Sequence, residues 1–232
     1  MTVDVRYALY LVPPRDSVLW EQACHWLGRN PETAVISPQP EVPGYASQRV
    51  RQLTRSPRQY GFHATLKAPF RLAHGVDERQ LMGEVARLIG SLPAFSMPAL
   101  KLGRLSGFVA LRPAGAAAEL MALARRCVTG LDVLRAPLEA AERARRHAAG
   151  LTPHQKDLLE QWGYPFVLDE YRFHMTLTER LDDADAASLM PWLQNWLEPA
   201  LGADSSKADL AVFLQPHSGA DFVLLRRFSL PC

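Results

Sequence analysis

The sequence predicts an α+β fold of two pseudo-symmetric lobes, produced by an internal duplication. Each lobe is expected to be an antiparallel sheet with helices on its outer face, and the two flank a central cleft. Three observations predict this. The pattern Phe-His-x-Thr-Leu occurs twice, at residues 62–66 and 173–177. Each copy is followed by a loop, a helix beginning about ten to fifteen residues on, and a pair of strands. The spacing repeats as well: 45 residues separate His63 from Phe108, and 48 separate His174 from Phe222. A duplication of this kind sets the two motif strands about a pseudo-two-fold axis, so the 111 residues between the histidines need not keep them apart.

Residues 5–12 are β-branched and aromatic and end at Pro13-Pro14, which reads as an interior strand. Asp16 and Ser17 can cap a helix running to about residue 29, with Val18, Leu19, Ala23, Trp26 and Leu27 along one side. Residues 30–43 are rich in Pro and read as loop. A short helix over 47–55 is interrupted by Ser56-Pro57, and the first motif strand then runs to about Phe70. Asp77 caps a helix over 78–89 with Leu81, Val85, Leu88 and Ile89 as its apolar stripe. Residues 97–105 and 108–112 form strands joined by a tight Ser106-Gly107 turn.

An Ala-rich helix covers 116–134. Residues 138–163 are Arg- and Ala-rich and helical in character, with Thr152-Pro153 starting a second helix. This segment has no place in a minimal two-lobe pattern and reads as a helical insertion, a lid or a partner surface. The second motif strand spans 171–178. Asp183 or Asp185 caps a helix through Leu189, Trp192, Leu193, Trp196 and Leu197, and strands at 207–214 and 222–228 close the chain. Residues 1–232 are expected to form one domain, with lobes mixed from about 1–112 and 113–232.

Side chains of an extended strand alternate between its faces. His63 and Thr65 therefore share one face, with Phe62, Ala64 and Leu66 on the other; His174 and Thr176 are set against Phe173, Met175 and Leu177 in the same way. One His-x-Thr in a strand is ordinarily a satisfied core histidine. Two matched copies among seven histidines are roughly a one-in-a-hundred accident of composition, and the pair is what argues for function.

Two imidazoles and two hydroxyls on rigid strands can flank one small anion. In-line displacement at a phosphodiester needs a base on the entering oxygen and an acid on the leaving oxygen, and two groups with pKa near 6.5 supply both forms around neutrality. The threonine hydroxyls can donate to the non-bridging oxygens as charge builds there. Lys67, two residues beyond Thr65, is expected on the same face; Arg172 lies two before His174. Either can add a cation at the phosphoryl group, or be a solvated flank. The candidates are thus His63 and His174 for catalysis and Thr65, Thr176, Lys67 and Arg172 for phosphate binding. Water is the expected nucleophile, no metal or other cofactor is required, and which histidine is the base stays open. His25, His74, His154 and His217 read as packing, loop, helix-start and turn residues, and the arginine runs 125–126 and 143–146 as solvated helix faces.

Composition excludes several classes. Hydrophobic residues at 48% and charged residues at 22% are ordinary for a globular chain, and a net charge of +2 argues against a surface built to coat nucleic acid. Three cysteines without a CxxC indicate neither a disulfide framework nor a thiolate metal site. No signal peptide and no apolar run of membrane-spanning length are visible, so a cytoplasmic protein with no membrane partner is expected. P-loop, GxGxxG, GxSxG, HExxH and EF-hand patterns are missing from the sequence.

The paired His-x-Thr-hydrophobic motifs in duplicated α+β lobes resemble the two-histidine (2H) phosphoesterase superfamily, at His63, Thr65, His174 and Thr176. Residues 60–70, Tyr-Gly-Phe-His-Ala-Thr-Leu-Lys-Ala-Pro-Phe, with the second motif, look most like its branch among phosphonate-utilisation proteins. The resemblance implies a metal-independent hydrolase of a cyclic phosphate or other small phosphodiester. A second reading is an enzyme of RNA ends, a 2′,3′-cyclic phosphodiesterase or 2′,5′-ligase, for which only the arginine run 143–146 offers a basic track. A third is a non-catalytic nucleotide or phosphate binder, against which the intact histidines and threonines of both motifs count.

Overall fold

A computed structural model describes residues 4–202 and 206–231. Strand β1 (Arg6–Val12) is buried along almost its whole length, as an interior strand requires. Helix α1 (Val18–Leu27) starts where the Ser17 hydroxyl accepts the Trp20 amide at 3.2 Å, and it ends at Gly28 in the left-handed region. The predicted break at Ser56-Pro57 is instead a restart. After α2 (Ser47–Leu53), Pro57 lies in the first turn of α3 (Arg55–Tyr60), where its missing amide hydrogen is not needed.

Strand β2 (Ala64–Phe70) leads to α4 (Glu78–Gly90), which opens on a reciprocal Asp77–Gln80 cap. Strands β3 (Leu100–Leu105) and β4 (Phe108–Pro113) are joined by Ser106 and Gly107, both at positive φ as a two-residue hairpin of this hand demands. The predicted long helix ends early. Helix α5 (Ala118–Gly130) stops at its glycine, and a 3₁₀ turn over Asp132–Leu134 follows. The 138–163 segment folds as α6 (Ala140–His147) and α7 (Pro153–Trp162), the latter capped by Thr152. Strand β5 (Met175–Arg180), helix α8 (Asp183–Gly202) and strands β6 (Asp209–Gln215) and β7 (Val223–Ser229) complete the fold.

The seven strands form one sheet in the order β3-β4-β5-β2-β1-β6-β7, with every neighbouring pair antiparallel. The expected lobes are its two halves, β3-β4-β5 and β2-β1-β6-β7. They meet at a single registered pair, Ala64 opposite Met175. The chain exchanges strands across this seam. The hairpin that follows β2 joins β5, and the hairpin that follows β5 joins β1 beside β2.

Helices α1, α2, α4, α5 and α8 bury one side of the sheet. Trp26, Leu81, Leu120 and Leu193 pack there with Leu9, Leu66, Met175 and Leu177 from the strands. The Trp26 indole donates to the Leu177 carbonyl at 2.8 Å and ties α1 to the far half. On the opposite side a smaller cluster of Tyr10, Trp20, Phe213 and Phe222 covers the β1-β6-β7 half. The cleft lies over the seam. Cys24 and Cys127 are buried free thiols; Cys232 lies outside the described residues. Among the described residues no helix is long and apolar enough to cross a membrane.

Candidate active site

The apolar faces of the two motifs are where alternation puts them: Phe62, Ala64, Leu66, Phe173, Met175 and Leu177 are all buried. Each histidine precedes its strand by one residue, at the point where β2 and β5 come together. Ala64 stands opposite Met175 in this antiparallel pair. Continued by one residue either way, that register sets His63 opposite Thr176 and Thr65 opposite His174. On that register each histidine is set toward the threonine of the other motif, and Thr176 lines the chamber of His63.

Both imidazoles are anchored alike. His63 Nδ1 lies 2.8 Å from the Gly61 carbonyl and His174 Nδ1 2.6 Å from the Arg172 carbonyl. A carbonyl only accepts, so Nδ1 carries the proton in both rings and Nε2 is the nitrogen left for chemistry. Thr65 Oγ1 lies 3.2 Å from His63 Nε2, which accepts its hydroxyl. Tyr10 from β1 stacks on His63 with ring centroids 3.7 Å apart, and Phe108 from β4 flanks His174 at 5.4 Å.

These surroundings disfavour the charged rings. Burial is the main cause that pushes His63 down to about 4; a positive charge on His174 adds to it, and the Gly61 carbonyl opposes it. His174 is also lowered, first by burial and further by Arg112, with the Arg172 carbonyl acting against them.

Lys67 is not where alternation predicts. Tyr10 pairs with Thr65 and Leu9 with Lys67, so Leu66 is an extra residue in β2; Tyr7 pairs with Phe70, which makes a second irregularity. Each bulge resets the parity of the strand. Lys67 therefore turns to the helix side, where it is buried with Nζ 3.1 Å from Asp132 Oδ1 and 3.1 Å from the Val128 carbonyl. It stands outside the cleft, and Ala68 takes the place expected for it. Arg172 does reach the cleft, and its side chain has no hydrogen-bond or ion-pair partner among the described residues.

The cleft has two chambers that share Thr65, Ala68 and Tyr164. The His63 chamber, about 440 Å³, is walled by Thr176, Tyr10 and Tyr60 and by Arg6, Arg145 and Arg146. The His174 chamber, about 450 Å³, is walled by Phe108, Phe166, Tyr171, Arg172 and Arg180. Sizes of this order suit a small ligand. Helix α6 of the 138–163 segment supplies Arg145 and Arg146, and Arg146 sits over the Tyr164 ring at 5.4 Å. This segment therefore closes one side of the site, and part of the arginine run read as solvated faces the cleft. Sequence reasoning also missed Tyr10 and Arg6. The alternation of β1 places Tyr10 opposite Leu9 and Leu11, but only the pairing of β1 with β2 brings it to His63. Among the described residues no three His, Cys, Asp or Glu side chains gather to hold a metal ion.

Residues 65–223 match the family described as "Protein of unknown function (DUF1045)". A protein from Janthinobacterium sp. (strain Marseille), "Ribose 1,5-bisphosphate phosphokinase PhnN", is 44% identical over 181 residues, 78% of this chain and 40% of that protein. A protein of the same name from Laribacter hongkongensis (strain HLHK9) is 34% identical over 223 residues, 96% of this chain and 51% of its own. The chain thus spans about half the length or less of these curated relatives. Among solved structures, LigT of E. coli complexed with phosphate aligns over 100% of both chains at 14% identity, with a TM-score of 0.41.

Proposed function

From the premise that the chain belongs to the DUF1045 family, we propose that it is a phosphoesterase of the two-histidine type, hydrolysing a cyclic phosphate or other small phosphodiester without a metal. One observation carries this reading. Two imidazoles, each with Nδ1 fixed by the carbonyl two residues before it, line adjoining chambers of one cleft on either side of the Ala64–Met175 pair.

The phosphoryl group sits between the histidines, with the Thr65 and Thr176 hydroxyls and Arg172 on its non-bridging oxygens. His63, the ring held down to about 4, is neutral at neutral pH and takes the proton from the attacking water. His174 gives its proton to the leaving alcohol, and the negative phosphoryl group favours the protonated ring once substrate is bound. Phosphorus–oxygen bond formation on the His63 side and cleavage on the His174 side leave a phosphomonoester and a free hydroxyl.

The two curated relatives are named for a ribose 1,5-bisphosphate phosphokinase. Residues 1–232 contain no glycine-rich P-loop pattern ending in Lys and Ser or Thr, and the kinase name is that of the relatives. What supports a role beside them is the PhnN name, which agrees with the phosphonate-utilisation wording of residues 60–70. The test is incubation with 2′,3′-cyclic nucleotides, a ribose cyclic phosphate and an oligonucleotide ending in a 2′,3′-cyclic phosphate, with and without EDTA. EDTA-resistant hydrolysis that His63→Ala and His174→Ala both lack supports the reading. Turnover of the oligonucleotide alone would move it to RNA ends, and tight binding without turnover would replace it with a phosphate binder.

A further inference from the structure

We infer that the His63 chamber holds a second phosphate of the substrate, a monoester distinct from the group that reacts, and that Arg6, Arg145 and Arg146 bind it. This rests on the proposed function, which places the reacting phosphoryl group between His63 and His174. Three guanidiniums border that chamber, and among the described residues no Asp or Glu borders it. A cleft lined by charge of one sign concentrates counter-ions within it.

The arginines differ in how they are held. Arg146 is fixed by Glu142, with Nε at 3.1 Å and its second bond at 2.7 Å, and by the Tyr164 ring. Arg6 Nε donates to Gln215 Oε1 at 2.8 Å, and that amide is itself fixed by donating to the Ala220 carbonyl at 2.7 Å. A neutral partner positions Arg6 without cancelling its charge. Arg145 is exposed and has no partner among the described residues.

Two guanidiniums without a carboxylate thus face the chamber from β1 and from the inserted helix α6. Their charge matches a phosphomonoester, a dianion near neutral pH, better than the single charge of a diester in a nucleic-acid chain. Guanidinium forks bind phosphate oxygens bidentately. The inserted helix then selects for substrate rather than acting only as cover.

Calorimetric titration tests this with three probes: adenosine 3′-phosphate, adenosine 3′,5′-bisphosphate and the 3′-phosphorylated dinucleotide of adenosine, whose second phosphate is a diester. Wild type is expected to bind the bisphosphate roughly ten- to a hundredfold more tightly than the monophosphate. In Arg145→Gln, which removes an exposed and unpartnered charge, that ratio should fall below about threefold, and it should survive in the His63→Ala/His174→Ala double variant. A wild-type ratio near one, or one unchanged in Arg145→Gln, overturns the site. An equal or larger gain with the dinucleotide overturns the monoester and assigns the site to a nucleic-acid chain. The acid–base reading fails on a separate result: hydrolysis of a cyclic phosphate that persists in the double variant refutes it whatever the binding ratio.

Discussion

Lys67 gives the sharpest contrast between a motif read from sequence and a side chain read from structure. Alternation makes it a phosphate ligand; the bulges of β2 make it part of the fold. Lys67→Met separates the two. Methionine keeps most of the stem against Phe70, whose ring centroid is 5.4 Å from Nζ. It removes the donor to the Val128 carbonyl and the cation beside Asp132. Asp132 is not left bare, because Arg135 still donates to it at 2.8 and 3.1 Å. The loss is then that of an orphaned buried acceptor and a weakened pair, about 2–3 kcal/mol, below the 3–5 kcal/mol of a stripped buried charge. In a chain of this size that lowers Tm by about 5–10 °C. Thermal unfolding followed by circular dichroism reads the shift, and kcat/KM for a cyclic phosphate, measured well below Tm, should stay within about threefold of wild type. A tenfold or larger fall in kcat/KM with Tm nearly unchanged would refute the placement of Lys67 outside the cleft.

Four other measurements bear on the site. His63→Ala and His174→Ala should each lower turnover by roughly two to four orders of magnitude with the fold intact, and loss of less than about tenfold from either contradicts the acid–base pair. The pH profile of kcat/KM should peak on the acid side of 6.5, with an acid limb near pH 4 from His63 and an alkaline limb from His174, whose pKa is also lowered; the His174→Ala protein should lack the alkaline limb. The same His63 shift has a stability sign: the unfolded chain binds more protons between about 6.5 and 4, so stability falls as pH drops through that window, and His63→Gln should flatten the fall. Gly61→Ala should be costly well beyond its size. Gly61 has φ +79, a Cβ there would meet Pro31 Cγ at 2.6 Å, and its carbonyl positions His63; a ten- to hundredfold loss of kcat accompanied by a lower Tm is expected, and wild-type values for both would exclude the positioning role.

The local chemistry of the chain was legible in the sequence. Ser17, Asp77 and Thr152 cap the helices expected of them, and Ser106-Gly107 makes the expected turn, because each depends on residues within a few positions. The apolar faces of the two motifs follow from period two for the same reason. Pairing was not legible. The Ala64–Met175 register that crosses histidine with threonine, the stack of Tyr10 on His63 and the bulge at Leu66 all depend on which strand lies beside which, and strand order is set by long-range closure. The arginines of α6 illustrate the same limit. A run of like charges is ordinarily a solvated face, and only its position over the seam turns part of the run inward.

The exchange of hairpins between the half-sheets sets the order in which the protein can become safe to handle. Strand β1 has its two hydrogen-bonding edges filled by β2, which begins some fifty residues on after three helices, and by β6, which is made some two hundred residues later. Until β6 arrives, one side of an almost wholly apolar ribbon, Ala8 to Val12, has its amides and carbonyls open. An unfilled edge of that composition pairs with whatever strand it meets first. A chain truncated before Asp209 should therefore gather into aggregates rather than persist as a smaller folded lobe, and holding the nascent chain apart from its copies until the last hairpin is in place becomes part of making this protein at all.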